Sequence, residues 1–238
     1  MNQIIAAHGW GGDSNCWELW QEEFKKNGWL WQSLERGYGE KTPFKPDWEI
    51  KDFKNKKNRR VIIGHSLGPH LLSKTTFTKA TDFIFICSFG RFIPDRKERF
   101  YMKNALEKMF NLIGTDDEEN MLKRFLKKAI SPELESSYSS GPIANSLSVK
   151  GREKLRKDLR LLIESKGLPT RINSDARILV IEGEKDLIVD RLSTIILIRE
   201  LESQVNQKIT HRVIPNGGHF QLNSELLHLI KDWLTKYL

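Results

Sequence analysis

The sequence predicts an α/β fold, in which a mostly parallel sheet is flanked by helices and interrupted by a helical insertion. Short apolar runs rich in β-branched residues lie at 4–7, 29–34, 61–63, 82–87, 178–181 and 211–214. Their length and composition are typical of strands covered on both faces. Stretches with helical spacing alternate with these runs, at 14–27, 67–79, 190–203 and 224–237. Such alternation favours a parallel sheet with helices on both sides.

The alternation stops between residues 95 and 171, where no convincing strand is found. Helical spacing occurs there at 106–110, 121–130 and 154–163. A serine-rich stretch at 136–141 is typical of a loop. We therefore predict a core of residues 1–94 and 172–238, with residues 95–171 inserted between two strands as a helical lid.

The composition is typical of a folded chain with a sizeable core and a basic surface. Of 238 residues, 39% are hydrophobic, which is too many for a disordered chain. The net charge of +8 favours acidic partners, although lysines that only solvate the surface explain it equally well. Nucleic-acid binding is disfavoured because the basic residues are dispersed among acidic ones, without interleaved aromatic side chains.

Cysteine usage and the N-terminal sequence favour the cytoplasm. Cys16 and Cys87 are the two cysteines, which are too few for a disulfide framework and have no second thiol beside them for a metal site. The chain begins with no signal-peptide pattern, and no run approaches the roughly 20 apolar residues of a membrane span. We expect a cytoplasmic protein without membrane contact, bound metal or cofactor.

The motif Gly64-His65-Ser66-Leu67-Gly68 is the strongest indication of chemistry. It follows the apolar run at 61–63 directly and precedes a helical stretch. This is the strand–turn–helix setting of a nucleophile elbow, in which a serine hydroxyl is raised above the sheet edge. Glycines two residues either side remove side chains that would clash in so tight a turn. We predict Ser66 as a nucleophile; an ordinary glycine-bounded turn is the alternative.

A serine nucleophile needs a base and an acid that orients it. In proteins with this elbow the acid and then the histidine follow the serine, each in a loop after a late strand. Asp186 follows the run at 178–181, and His219 follows the run at 211–214 after two glycines. We predict Asp186 as the acid and His219 as the base. Glu184 and Asp190 are close enough in sequence to stay open as alternative acids.

An early glycine-rich loop, His8-Gly9-Trp10-Gly11-Gly12, follows the first apolar run. Its glycines allow main-chain N–H groups to point at a ligand, and an oxyanion hole of this type combines one such N–H with that of the residue after the nucleophile. We predict the N–H groups of Trp10 and Leu67 as the donors, with the Trp10 indole also lining the substrate pocket. A glycine-rich turn around a core tryptophan is the alternative.

Further segments resemble those of a known family. They are His8-Gly9-Trp10-Gly11 with Trp17, Gly37-Tyr38-Gly39, Ile86-Cys87-Ser88 leading to Arg91-Phe92, and Arg124-Phe125-Leu126. With the elbow and the candidate triad, the chain resembles the α/β-hydrolases over nearly its whole length. Within them, the opening loop and the insertion are similar to those of the pimeloyl-[acyl-carrier protein] methyl ester esterases of biotin synthesis.

This resemblance implies the α/β-hydrolase fold and a serine carboxylesterase that removes methanol from a seven-carbon diacid bound to acyl-carrier protein. That partner is acidic, and residues 95–171 hold 17 Lys and Arg against 12 Asp and Glu. Candidate docking residues are cationic side chains of the insertion, namely Lys123, Arg124, Lys127, Lys128, Arg152 and Arg156. A solvated helix face is an equal alternative. Phe125 is predicted to line the acyl channel, or to be part of the lid core.

Two other functions fit the same residues. One is a different acyl-ester or C–C bond hydrolase or lyase of this fold, acting on a small molecule and needing no basic docking face. The other is a non-catalytic receptor that keeps the pocket. An intact triad argues against the receptor, and hydrolysis of any ester would exclude it.

Overall fold

In a computed structural model of the chain, six parallel strands form one sheet, which confirms the predicted fold class. The structure describes residues 1–49, 58–133, 141–145 and 147–236. The strands are β1 (Gln3–Ala7), β2 (Leu30–Ser33), β3 (Arg60–His65), β4 (Asp82–Ile86), β5 (Arg177–Gly183) and β6 (Thr210–Ile214). They lie in the order β2-β1-β3-β4-β5-β6, and each neighbouring pair is parallel.

Helices flank both faces of this sheet. They are α1 (Glu18–Lys26, after the 3₁₀ turn Ser14–Trp17), α2 (Gly68–Leu71), α3 (Lys74–Thr78), α4 (Arg99–Leu112), α5 (Glu118–Ile130), α6 (Pro142–Asn145), α7 (Val149–Glu164), α8 (Arg191–Glu202) and α9 (Ser224–Thr235). Among the described residues, no helix combines the length and the apolar character that crossing a bilayer requires.

Alternate residues of the buried strands face two apolar clusters on opposite sides of the sheet. In β3, Val61 and Ile63 join side chains of α1 and α9, whereas Ile62 joins side chains of α3 and α8. Because both sides are covered, β1, β3, β4 and β5 are buried almost throughout, and their sequences are continuous apolar runs. The edge strand β6 is half-exposed.

The single helix predicted over 67–79 is wrong, because the structure divides it into α2 and α3. Leu72, between them, has extended backbone with ψ of 157°. Ser73 then caps α3, its hydroxyl accepting the Thr76 N–H at 3.0 Å. A serine side chain that binds a nearby backbone N–H favours a new helix start over continuation of the old helix.

Four helices, α4 to α7, lie between β4 and β5, where the sequence predicted a helical insertion. The short helix α6 was not expected. Residues 136–140 of the predicted serine-rich loop lie outside the described residues. The boundaries of a separate lid, residues 95 and 171, stay a prediction. Side chains of these helices form a third apolar cluster with residues of the core, among them Trp10, Tyr38 and Leu67.

Helix α7 is anchored to the loop after β2 through Asp158, which is 1% exposed. Its carboxylate accepts hydrogen bonds from Arg36 Nε and Nη2 and from the Tyr38 hydroxyl, each at 2.6 Å. Gly151 allows the close approach, because a Cβ there would lie 1.6 Å from the Tyr38 carbonyl oxygen. These contacts therefore fix the position of helix α7 relative to the loop after β2.

We expect Asp158→Ala to lower the free energy of unfolding by about 3 kcal/mol, because Arg36 loses its charge partner and Tyr38 its acceptor. Urea denaturation measures this change. Glu119→Gln is the matched control, since it removes an exposed pair with Lys123 and should not shift the urea midpoint measurably. Equal midpoints for Asp158→Ala and the wild type would contradict the anchoring role.

Candidate active site

Ser66 lies in a tight turn between β3 and α2. Its φ of 53° is in the left-handed region that non-glycine residues seldom adopt. The turn is held by its main chain: the Ser66 N–H donates to the Ile86 carbonyl at 3.0 Å, and the Ser88 hydroxyl donates to the Ser66 carbonyl at 2.7 Å. Strained backbone of this kind is found where a side chain is presented for chemistry.

Glycines make this turn sterically possible. A Cβ at Gly68 would lie 2.1 Å from the Ala7 carbonyl oxygen, and one at Gly64 would lie 2.4 Å from Pro69 Cγ. A Cβ at Gly9, in the early loop, would lie 2.9 Å from the Cβ of the serine. A side chain at any of these positions would clash, because the elbow packs directly against the end of β1 and the early loop, and its own two ends meet at Gly64 and Pro69.

A histidine and a carboxylate form a buried pair at the carboxyl edge of the sheet. His219 is 1% exposed, and its Nδ1 donates to Asp186 Oδ2 at 2.8 Å. Asp186 Oδ1 accepts the N–H groups of Ile188 at 2.7 Å and Val189 at 3.0 Å. Burial opposes ionisation of Asp186, but the charge and hydrogen bond of His219 and these N–H groups outweigh burial and lower the pKa of Asp186. An ionised Asp186 fixes the Nδ1–H tautomer of His219.

The two acids left open as alternatives to Asp186 have other partners. Glu184 accepts a main-chain N–H of the loop after β6 at 2.8 Å. Asp190 caps α8 by accepting the Leu192 N–H at 2.9 Å. Of these three carboxylates, Asp186 is the one that hydrogen-bonds His219.

Ser66 and His219 line one small cavity of about 20 Å³, together with residues 8–12. This volume suffices for one or two water-sized groups. Within the described residues, no hydrogen bond joins Ser66 Oγ to His219. Bonds between a nucleophile and its base are often long until substrate is bound. The structure thus brings both side chains to one cavity without joining them.

The early loop and the elbow supply two main-chain N–H groups near this cavity. Trp10 and Leu67 are buried, and in the part of the chain that the structure describes neither N–H meets a protein acceptor. Unpaired buried donors of this kind suit an oxygen that becomes negatively charged. The Trp10 indole donates to the Leu155 carbonyl at 3.0 Å, which ties the early loop to α7. Their role as an oxyanion hole stays a prediction.

A second, much larger cavity of about 560 Å³ extends from Ser66 between α4, α5 and α7. Its lining is mainly apolar and includes Met102, Leu106, Met109, Leu112, Met121, Leu159 and Leu162. The two predicted substrate-binding residues, Trp10 and Phe125, line both cavities. Their rings meet edge to face, with centroids 4.9 Å apart. Both side chains are therefore at the junction of the two cavities.

Two of the six predicted docking residues line the larger cavity. Arg124 and Lys128, on α5, are exposed and lie at its rim with Lys108. One exposed carboxylate, Asp117, is also at this rim. The rim therefore carries more positive than negative charge around an apolar interior.

The other four predicted docking residues do not line this cavity. Lys123 pairs with a glutamate one turn earlier at 2.5 Å, and Lys127 is exposed. Arg152 donates to both oxygens of Glu118 at 2.7–2.9 Å, and Arg156 donates to a main-chain carbonyl. The two arginines are thus engaged within the insertion, and a docking role for these four stays a prediction.

No sequence pattern indicates a role for His65, which the structure places against His219. His65 Nε2 donates to the His219 carbonyl at 3.0 Å. Burial, and then the charge of His219, lower the pKa of His65 to about 3. A main-chain acceptor has no signature in residue type, so the sequence pattern could not reveal this bond.

Cys87 lies beside the His219–Asp186 pair, and ligand atoms of the three residues are within 4.8 Å of one another. Among the described residues this is the group whose atoms could approach a metal ion. Burial, and then the charge of Asp186, raise the pKa of the Cys87 thiol well above its ordinary value. A thiol must lose its proton to bind a metal ion, and the burial of Cys87 opposes that step.

No protein-family model and no curated protein matches this chain. Solved structures do match its fold. An esterase from Exiguobacterium antarcticum has a TM-score of 0.69 at 16% identity, over 100% of this chain and 91% of that one. An α/β hydrolase fold protein from Burkholderia ambifaria has a TM-score of 0.65 at 13% identity, over 98% and 90%. A putative non-heme bromoperoxidase from Mycobacterium tuberculosis has a TM-score of 0.64 at 17% identity, over 99% and 91%.

These similarities establish that the chain has the α/β-hydrolase fold. At such low identity they carry nothing about substrate, and the two activities named among them, esterase and putative bromoperoxidase, already differ. Function must be argued from the site itself.

Proposed function

We propose that the protein is a serine carboxylesterase in which Ser66 is the nucleophile, His219 the general base and Asp186 the acid that orients it. The observation that carries this proposal is one small cavity that Ser66 and His219 both line, with His219 bonded to a buried, ionised Asp186. The strained turn at Ser66 also supports it. Esterases among the matched folds are consistent with it.

In this reaction His219 Nε2 accepts the Ser66 proton as the hydroxyl attacks the ester carbonyl. The N–H groups of Trp10 and Leu67 bind the negative oxygen of the tetrahedral intermediate. His219 then gives its proton to the leaving alcohol, and a water molecule repeats the sequence on the acyl-enzyme. Asp186 stays ionised throughout. It stabilises the imidazolium form of His219, which lasts until the proton passes to the leaving alcohol.

We expect Ser66→Ala to abolish ester hydrolysis and Asp186→Asn to lower kcat about 10³–10⁴-fold, because an asparagine no longer stabilises the correct tautomer and charge of His219. Glu184→Gln, a neighbouring acid with no bond to His219, is the matched control and should keep the wild-type kcat. The measurement is steady-state hydrolysis of a methyl ester, followed by titration of the released acid. A greater loss for Glu184→Gln than for Asp186→Asn would reverse the assignment of the acid.

The unequal cavities at Ser66 indicate which ester the site fits. The cavity of about 20 Å³ is lined by His219, whereas the cavity of about 560 Å³ is not. Since the histidine protonates the leaving alcohol, the alcohol leaves on the side of the small cavity and the acyl group occupies the large one. We propose an ester of a small alcohol, such as methanol, with a long apolar acyl group.

We expect kcat/KM to be at least tenfold higher for methyl octanoate than for benzyl octanoate, because the benzyl alcohol does not fit beside His219. Met109→Trp should lower kcat/KM for the octanoate about tenfold by filling the larger cavity. Phe100→Trp, an exposed position of the same helix outside that cavity, is the control. Preference for the benzyl ester would contradict this orientation of substrate.

We propose, more narrowly, that the substrate is the methyl ester of a pimeloyl chain whose other end is carried by acyl-carrier protein. The small alcohol site fits methanol, and the apolar cavity fits the methylene chain. Arg124, Lys128 and Lys108 at its rim are complementary to an acidic carrier. Other acyl-ester or C–C bond substrates of the same fold are the competing candidates.

We expect the double variant Arg124→Glu/Lys128→Glu to lower kcat/KM for the carrier-bound ester at least tenfold at low salt, with a smaller loss at 0.5 M salt. The free methyl ester should be cleaved at the wild-type rate. Lys208→Glu is the control. It reverses a charge just before the amino end of β6, whereas Ser66 lies at the carboxyl end of β3, and it should affect neither substrate. Equal slowing of free and carrier-bound esters would refute the docking role.

A further inference from the structure

His65 is in contact with the loop that carries His219. It is 2% exposed, and its Nε2 lies 3.0 Å from the His219 carbonyl oxygen. Because a carbonyl oxygen only accepts, Nε2 must carry the proton. The two imidazole rings also touch, with centroids 4.8 Å apart, and Phe220 meets the His65 ring edge to face at 5.2 Å.

The other ring nitrogen of His65 faces the early glycine-rich loop. A Cβ added to Gly9 would lie 3.1 Å from His65 Nδ1. The imidazole thus fills the space between the loop of Trp10 and the loop of His219. His65 also directly precedes Ser66. Its ring therefore lies where the elbow, the early glycine-rich loop and the loop of His219 meet.

The charged and titratable groups that act on His65 are His219, Asp186 and His8. Burial, followed by the charge of His219, lowers the pKa of His65 to about 3. The ring therefore stays neutral with a single proton at neutral pH, and the carbonyl keeps that proton on Nε2. A charged ring here would oppose the protonation of His219.

We propose that His65 is a positioning residue whose Nε2–H holds the main chain of His219, so that the His219 ring is directed at Ser66. His65 touches no reacting atom and acts through His219. The turn that presents the nucleophile thereby also positions its base. This inference rests on the proposed function, because His219 is a base only there.

Two substitutions separate the hydrogen bond from the packing of the ring. His65→Gln places an amide donor at about the position of the imidazole Nε2, whereas His65→Phe keeps a planar ring without a donor. His65→Asn, whose amide is too short to reach the His219 carbonyl, replaces the phenylalanine variant if that variant does not fold.

His70 offers a matched control elsewhere in the fold. It is also a largely buried histidine, and its Nε2 donates to the Phe89 carbonyl at 2.8 Å with the rings stacked. His70→Phe therefore removes the same kind of bond without contact to His219.

Steady-state kinetics on a methyl ester test the proposal, well below the melting temperature of every variant. We expect His65→Phe to lower kcat 10–100-fold with KM unchanged within twofold. His65→Gln should recover kcat to within threefold of wild type, and His70→Phe should stay within twofold. Wild-type kcat in His65→Phe, or no recovery in an equally stable His65→Gln, would overturn the positioning role.

A second measurement needs no substrate. In ¹⁵N-histidine-labelled protein, the His219 Nδ1–H should give a low-field proton resonance in the wild type, His65→Gln and His70→Phe, and should be lost to exchange in His65→Phe. If this pattern holds while the wild type cleaves no ester, the proposed function fails and the hold of His65 on His219 stands. If the resonance persists in every variant, that hold is refuted whatever the ester activity.

Discussion

The contact between the elbow and the end of β1 is the constraint on which the candidate site depends. Gly68 packs so closely that a Cβ would lie 2.1 Å from the Ala7 carbonyl oxygen. The chain leaves β1 at Ala7 and enters the early loop, where Gly9 approaches Ser66 in the same way. One steric fit therefore sets the position of Ser66 relative to the N–H groups of Trp10 and Leu67. Electrostatic stabilisation of an oxyanion requires donors fixed in advance, and close packing provides this.

Helices between β4 and β5 contribute to this site. The Leu155 carbonyl of α7 accepts a hydrogen bond from the Trp10 indole N–H, and this bond holds the early loop in place. At the end of α5, the Ala129 carbonyl accepts the N–H of Phe220, the residue after His219, at 3.0 Å. A Cβ at Gly218 would lie 1.9 Å from the carbonyl oxygen of Ser131, just past α5. The early loop and the loop of His219 are thus held by helices that lie between β4 and β5 in the chain.

The sequence was sufficient wherever residue type itself carries the signal. Apolar runs predicted all six strands, and the signal was clearest for β1, β3, β4 and β5, because strands buried on both faces have few polar positions. The order of Ser66, Asp186 and His219 was readable because elbows and loop ends have fixed places in this fold. The break at Leu72 could not be predicted from the sequence pattern. Helical spacing continues through it, whereas in the structure Leu72 is extended and Ser73 caps a new helix.

Long-range and main-chain contacts were beyond what the sequence pattern shows. The carbonyl of His219 has no signature, so His65 was overlooked. Arg152 is a predicted docking residue, but its partner Glu118 is 34 residues away and meets it only once α5 and α7 are packed together. Net charge therefore predicted a basic insertion without showing which cations are engaged internally.

The electrostatics of the site follow from which buried imidazoles have a carboxylate partner. Burial lowers the pKa values of His8, His65 and His70, and each of these rings is hydrogen-bonded to a main-chain carbonyl. Of the three fully buried histidines near Ser66, which are His8, His65 and His219, His219 is the one paired with a carboxylate, Asp186. In a medium of low dielectric, a second charged ring would oppose the imidazolium that ester hydrolysis requires. Neutral neighbours leave the positive charge of the reaction to His219, beside the carboxylate of Asp186 that can stabilise it.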